Sequence, residues 1–88
     1  MQYSKTSLSV FSIKKIFETL PEFQRQGITE LSIYDKQFSY DKNGILRLIS
    51  QIKKFCPELF LSILVSPEIL DKTLVQGFQE IYCSLEIP

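Results

Sequence analysis

Apolar residues recur along this chain in two different rhythms, and each rhythm marks a kind of element. Ile13, Ile16, Phe17, Leu20 and Phe23 are spaced by three and four, which lays one apolar stripe along a helix. Ser12 stands where a helix-capping hydroxyl is needed, with Phe11 outside it to staple onto Ile16. Pro21 interrupts the stripe. It either kinks the helix or ends it and opens a new turn at a position that needs no amide. Gly27 closes the helix as a left-handed cap. From Glu30 to Tyr34 the rhythm changes to alternation, with Leu31 and Ile33 on one face, as in a strand. That strand delivers Asp35 into a polar loop reaching Asp41.

Helical spacing then returns. Asp41 caps a second helix whose buried face carries Ile45, Leu48, Ile49, Ile52 and Phe55, widened by Leu46. Asn43-Gly44 weakens its first turn, and Cys56-Pro57 stops it. Leu59 to Val65 is nearly all apolar, the pattern of a parallel strand covered on both faces. Ser66-Pro67-Glu68 opens a short turn, and Asp71 caps a third helix carrying Leu74, Val75 and Phe78. Ile81 to Ile87 forms a last strand. The predicted class is α/β, with three parallel strands alternating with helices in the order α-β-α-β-α-β. Residues 1–9, rich in Ser and Thr, are expected to be poorly ordered. Residues 10–88 form the folded part.

Three parallel strands leave two open edges, and the first helix lacks a preceding strand. The expectation is therefore a slice of a larger domain. Ligands of parallel sheets sit at the carboxyl ends of strands, so Asp35 is the first candidate for chemistry.

Composition removes several classes of function. The 88 residues carry ten basic and ten acidic side chains, so no net charge draws in nucleic acid or anionic lipid. Lys14-Lys15 and Lys53-Lys54 fit solvated helix faces. No apolar run approaches a membrane span and Met1 to Lys5 is no secretory signal, so a cytoplasmic location is expected. Without histidine the commonest general base is missing, and with it the Ser-His and Cys-His pairs. Cys56 and Cys83 are far apart and fit reduced core thiols better than a disulfide or metal site. Gly27, Gly44 and Gly77 are too scattered for a phosphate loop.

The order of motifs from Val10 to Pro88 resembles the middle of a radical S-adenosylmethionine (SAM) barrel. It is most similar to the Fe-S oxidoreductases that often also carry a B12-binding domain. Gly27-Ile28 leads into Leu31-Ser32-Ile33-Tyr34-Asp35, followed by Phe38 and Asp41-Lys42. Pro67-Glu68-Ile69-Leu70-Asp71, Leu74-Val75 and Tyr82-Cys83-Ser84-Leu85-Glu86-Ile87 then follow in the family's order.

The resemblance implies a portion of a TIM-like (β/α) partial barrel, inactive alone. Its parent would cleave SAM reductively to a 5′-deoxyadenosyl radical with a [4Fe–4S] cluster, and in some members with cobalamin. It implies that Asp35 accepts hydrogen bonds from the SAM amino group, although an aspartate there could equally cap its own loop. Glu86 is implied near the ribose if its strand points it inward. Phe38 and Tyr40 anchor the loop by packing. The cluster-binding Cys-x-x-x-Cys-x-x-Cys loop is absent, and Cys56 and Cys83 cannot replace it. Strand and loop are therefore expected upstream of Met1, with no cofactor held by this chain itself. The expected partners are the rest of the barrel, or a second copy joined along strand edges. The competing expectation is a self-contained, non-catalytic α/β interaction module that forms a homodimer.

Overall fold

The computed structural model describes residues 6–88. The chain runs β1 (Thr6–Val10), α1 (Ile16–Thr19), a 3-10 turn (Leu20–Glu22), α2 (Phe23–Gln26) and β2 (Ile28–Ile33). A second 3-10 turn (Phe38–Tyr40) precedes α3 (Lys42–Phe55), followed by β3 (Phe60–Leu64), α4 (Lys72–Phe78) and β4 (Tyr82–Glu86). The four strands form one parallel sheet in the order β1-β2-β3-β4. The α/β class holds, but the strand count is four rather than three.

The extra strand, β1, occupies part of the segment expected to lack order. Only residues 1–5 of that expectation lie outside the described residues. β1 has just two apolar side chains, Leu8 and Val10. Pairing with β2 makes it a strand, through partners that include Leu8 with Leu31 and Val10 with Ile33. The first helix therefore does have its preceding strand, inside the chain and not upstream of Met1.

Alternation sorts each strand into two faces. Leu31, Ile33, Leu61 and Ile63 are sealed against the helices, at most 1% exposed. They join Ile16, Leu20 and Phe23, the face Ile45-Leu48-Ile49-Ile52 of α3, and Leu74 and Phe78 of α4 in one core. The helices form a single layer, with α3 packed between the 3-10 turn at Pro21 and α4. Arg47 on α3 lies 4.3 Å above the Phe17 ring.

The other face of the sheet is bare among the described residues. Ser9, Ser32, Ser62 and Ser84 align in one row across all four strands. Ser7, Glu30, Phe60 and Tyr82 form the row below, and Leu64 pairs with Glu86 above. Leu59–Val65 is thus not covered on both faces: Phe60 is 39% exposed, while Ser62 and Leu64 are half-buried. The apolar run misled because Phe60 and Leu64 sit on the open side.

The opening helix also departs from expectation. Ser12 does not cap it; α1 starts at Ile16 with no side-chain cap. Phe11 is 76% exposed and lies against Tyr34, with ring centroids 5.6 Å apart, instead of stapling onto Ile16. Pro21 sits in the 3-10 turn, so the stripe is carried by three short helical pieces. Gly27 does close them, at φ 74°. Asp41 caps α3 by accepting the Gly44 N–H, and Asp71 caps α4 by accepting the Leu74 N–H.

Candidate functional site

Asp35 lies just past the carboxyl end of β2, where the chain leaves the sheet and turns into the 3-10 segment. Its Oδ1 accepts the Phe38 N–H at 3.1 Å, which folds its own loop back. Its Oδ2 accepts the Ile13 N–H at 3.0 Å, from the loop that follows β1. One carboxylate therefore ties together the loops after two neighbouring strands. Tyr34 N–H donates to the Val10 carbonyl at 2.9 Å and extends the sheet to the base of this clasp.

A cleft of about 220 Å³ opens between the two loops. Ser12, Lys14, Asp35, Gln37 and Asp41 line it beside Ile13 and Phe38. It sits at the carboxyl ends of the strands, the edge where parallel α/β sheets place their ligands. A smaller hollow of about 120 Å³ lies at the opposite end, beside Gly27 and Cys56. Each Asp35 oxygen accepts one amide and keeps capacity for a second donor. Chemically the cleft offers two carboxylates, Asp35 and Asp41, beside the Lys14 ammonium, the Gln37 amide and the Ser12 hydroxyl. It holds no nucleophile paired with a base.

Glu86 is not part of this arrangement. It ends β4, two strands from β2, and pairs in register with Leu64. It is exposed, and its backbone carbonyl accepts the Val65 N–H at 2.8 Å. The two residues share no hydrogen bond and no cleft. Of the two expected loop anchors, Phe38 is buried at 4% exposure, whereas Tyr40 is 55% exposed and anchors nothing.

Sequence reading missed two contributors. Ser39 is fully buried, and its carbonyl accepts the Ser66 N–H at 2.9 Å, joining the loops after β2 and β3. Lys42 and Asp71 pair across the first turns of α3 and α4. The Lys42 ammonium, then the Leu74 amide, hold the Asp71 carboxyl below the usual range. Asp-Lys and Leu-Asp-Lys at the two helix starts were visible as caps, but nothing local signalled that they meet.

The residues do not fit an iron-sulfur cluster. A cluster needs three or four thiolates close together, and this chain has two cysteines. Cys56 lies in the core and Cys83 is half-buried on β4, donating to the Phe78 carbonyl. Burial pushes both thiols up. Phe11 to Lys15, the loop after β1, contains no cysteine. Among the described residues no group of three or more His, Cys, Asp or Glu is placed to hold a metal. No helix among them is long and apolar enough to cross a membrane.

In comparisons with known proteins, no family model, curated protein or solved structure matches this chain.

Proposed function

We propose that this chain is part of the catalytic (β/α) barrel of a radical SAM Fe-S oxidoreductase, contributing scaffold and one SAM-contacting carboxylate but not the cluster. The observation that carries this reading is the winding of the sheet. Strands follow one another in chain order, all parallel, with every helix on one side, and Asp35 lines a cleft at their carboxyl ends. Doubly wound sheets reverse strand order and cover both faces, whereas barrels wind this way. The motif order around Asp35, Asp71 and Glu86 supplies the family.

In this reading SAM binds above the strand ends, and the spare acceptor sites of Asp35 orient its ammonium. The clasp to Ile13 and Phe38 fixes the carboxylate before the ligand arrives, which reduces the ordering cost of binding. Glu86 faces the barrel interior from β4. Reductive cleavage is supplied by the cluster, held on residues outside this chain.

The transcript and its product provide the test. The reading frame around these codons is followed in both directions, and the full polypeptide is reconstituted anaerobically with iron and sulfide. A Cys-x-x-x-Cys-x-x-Cys loop, thiolate-to-iron absorption and release of 5′-deoxyadenosine under a strong reductant are expected. Asp35→Asn should weaken SAM binding at least about tenfold, as loss of a charge-assisted hydrogen bond of about 1.5–3 kcal/mol requires, with the cluster spectrum unchanged. A frame without the three-cysteine loop overturns the assignment.

A further inference from the structure

We propose that the open face of the sheet carries, at its carboxyl end, a site for a methylated ammonium ion bearing a hydroxyl, built from Phe11, Tyr34, Leu64 and Glu86. Only the open face is needed for it, not the radical SAM assignment. In a barrel the same face would line the interior, so the ion is the class of substrate that interior would accept.

The site is one row of side chains. Leu64 and Glu86 pair in register on β3 and β4. Ile33 pairs with Ile63, so Tyr34, the next residue, falls beside Leu64. Val10 pairs with Ile33, which sets Phe11 beside Tyr34, and their ring centroids are 5.6 Å apart. Alternation turns all four side chains away from the sealed core. The row thus runs aromatic, aromatic, aliphatic, acid across the sheet. Phe11, Tyr34 and Glu86 are exposed and Leu64 is half-buried. Leu64 makes an apolar floor between an aromatic wall and a carboxylate.

The spacing suits a single cation. Adjacent strands lie about 4.8 Å apart, so Tyr34 and Glu86 stand about 9.6 Å apart across Leu64. An ion centred over Leu64 is then about 5 Å from each, inside the reach of about 6 Å over which an aromatic ring attracts a cation. Leu64 has no acceptor for ammonium N–H groups, which would be left unpaired there, whereas N-methyl groups pack on it. Ser32, Ser62 and Ser84 form the next row toward the amino ends, two residues or about 6.6 Å back. A hydrogen bond to a serine takes about 2.8 Å of that distance. The remaining length of about 3.8 Å separates the cation from the ligand's own hydroxyl, as a two-carbon spacer does.

Charge complementarity fixes the sign of the ligand. None of the four strands contains a lysine or arginine, while the open face holds Glu30 and Glu86. Glu30 accepts the Ser7 hydroxyl. Glu86 forms no ion pair among the described residues. Lys14, the basic residue nearest Phe11 in sequence, lines the separate cleft beside Asp35. An anion would meet only repulsion on this face. A cation gains the carboxylate and the two rings together.

Titration of the full, isotope-labelled chain with choline, followed by amide and tyrosine-ring NMR shifts, tests this. Saturable shifts are expected at Phe11, Tyr34, Leu64, Glu86 and the serine row. The neutral isostere of choline, with carbon in place of nitrogen, should bind about tenfold more weakly, because it loses both the ring attraction and the carboxylate. Ethanolamine, without the methyl groups, should also bind more weakly. Glu86→Gln and Tyr34→Leu should each reduce choline affinity at least about threefold. Glu30→Gln, two rows away, should leave it unchanged, and Glu86→Lys should abolish it. Circular dichroism and a cooperative melt establish that each variant folds, and Phe11→Leu replaces Tyr34→Leu where that variant does not. The absence of saturable shifts overturns the proposal. Equal binding of the isostere or of ethanolamine overturns it too, as does a loss in Glu30→Gln as large as that in Glu86→Gln. None of these outcomes bears on the three-cysteine loop, so this site and the radical SAM reading can fail separately.

Discussion

Asp35 and Ile13 are 22 positions apart in sequence, yet the Asp35 carboxylate accepts the Ile13 backbone N–H at 3.0 Å. The same carboxylate accepts the Phe38 amide, so a single side chain fastens the first two strand-end loops. This explains why Ser12 does not start the first helix. The chain reaching Ile13 is already drawn toward β2, and helical geometry begins only at Ile16.

Asp35→Ala should therefore destabilise the chain by about 2–3 kcal/mol, since two part-buried amides lose a charged acceptor. Asp35→Asn, which keeps one acceptor oxygen, should lose about half as much. Urea unfolding followed by circular dichroism checks this. The midpoint should fall with little change in slope. No shift in Asp35→Ala would show that the clasp contributes nothing to stability.

Gly44 sits in the first turn of α3, where alanine would ordinarily help by up to about 1 kcal/mol. Here a β-carbon would fall 2.4 Å from the Asp41 carboxylate oxygen Oδ2 and 2.8 Å from the buried Phe38 ring. The capping carboxylate or the ring must move. Gly44→Ala is expected to destabilise by about 1–3 kcal/mol in spite of its better propensity. In Asp41→Ala the added cost of Gly44→Ala should shrink, because one of the two obstacles is gone. Thermal melts of the four proteins in that cycle measure the coupling.

Asp71 predicts an acid limb. Its folded pKa lies below the ordinary value of 3.8, chiefly through the Lys42 ammonium and then the Leu74 amide. The unfolded chain therefore binds a proton first as pH falls. The stabilisation from the pair is complete above the unfolded pKa and lost as pH falls through the folded one. Asp71→Asn keeps a competent cap but removes the charge. Its stability should fall less steeply below about pH 4 than that of the wild type. Parallel pH profiles for the two proteins would contradict the ion pair.

The two thiols should differ in access. Cys56 is 4% exposed beneath the core, and Cys83 is half-buried at the sheet edge. Under native conditions an alkylating reagent should modify Cys83 first, with Cys56 following only on unfolding. Mass spectrometry of a time course reads the order. Equal rates would place Cys56 nearer the surface than the packing shows.

Much of this architecture was legible because it is local. Gly27 announces its left-handed turn, Asp41 and Asp71 announce their caps, and Cys56-Pro57 announces the end of α3. Each depends on contacts within four residues. The strand expected over Glu30 to Tyr34 and found at Ile28–Ile33 was legible from alternation, and with it the place of Asp35 at the edge where the cleft opens. Glu86 was legible as a residue of the last strand, but strand alternation alone could not say which side of the sheet it takes.

What the residues determined by themselves is the two later helices, the strands β2, β3 and β4, their parallel alternation with helical segments and the carboxylate at the end of β2. Periodicity, caps and breakers act over a turn or two of chain, so they survive in the bare sequence. Only tertiary structure decided that Thr6–Val10 is a strand, that all helices share one side, and that Ser9, Ser32, Ser62 and Ser84 form a single row. Those outcomes depend on pairing between segments tens of residues apart. A serine beside a serine on the next strand leaves no mark in either segment's own rhythm.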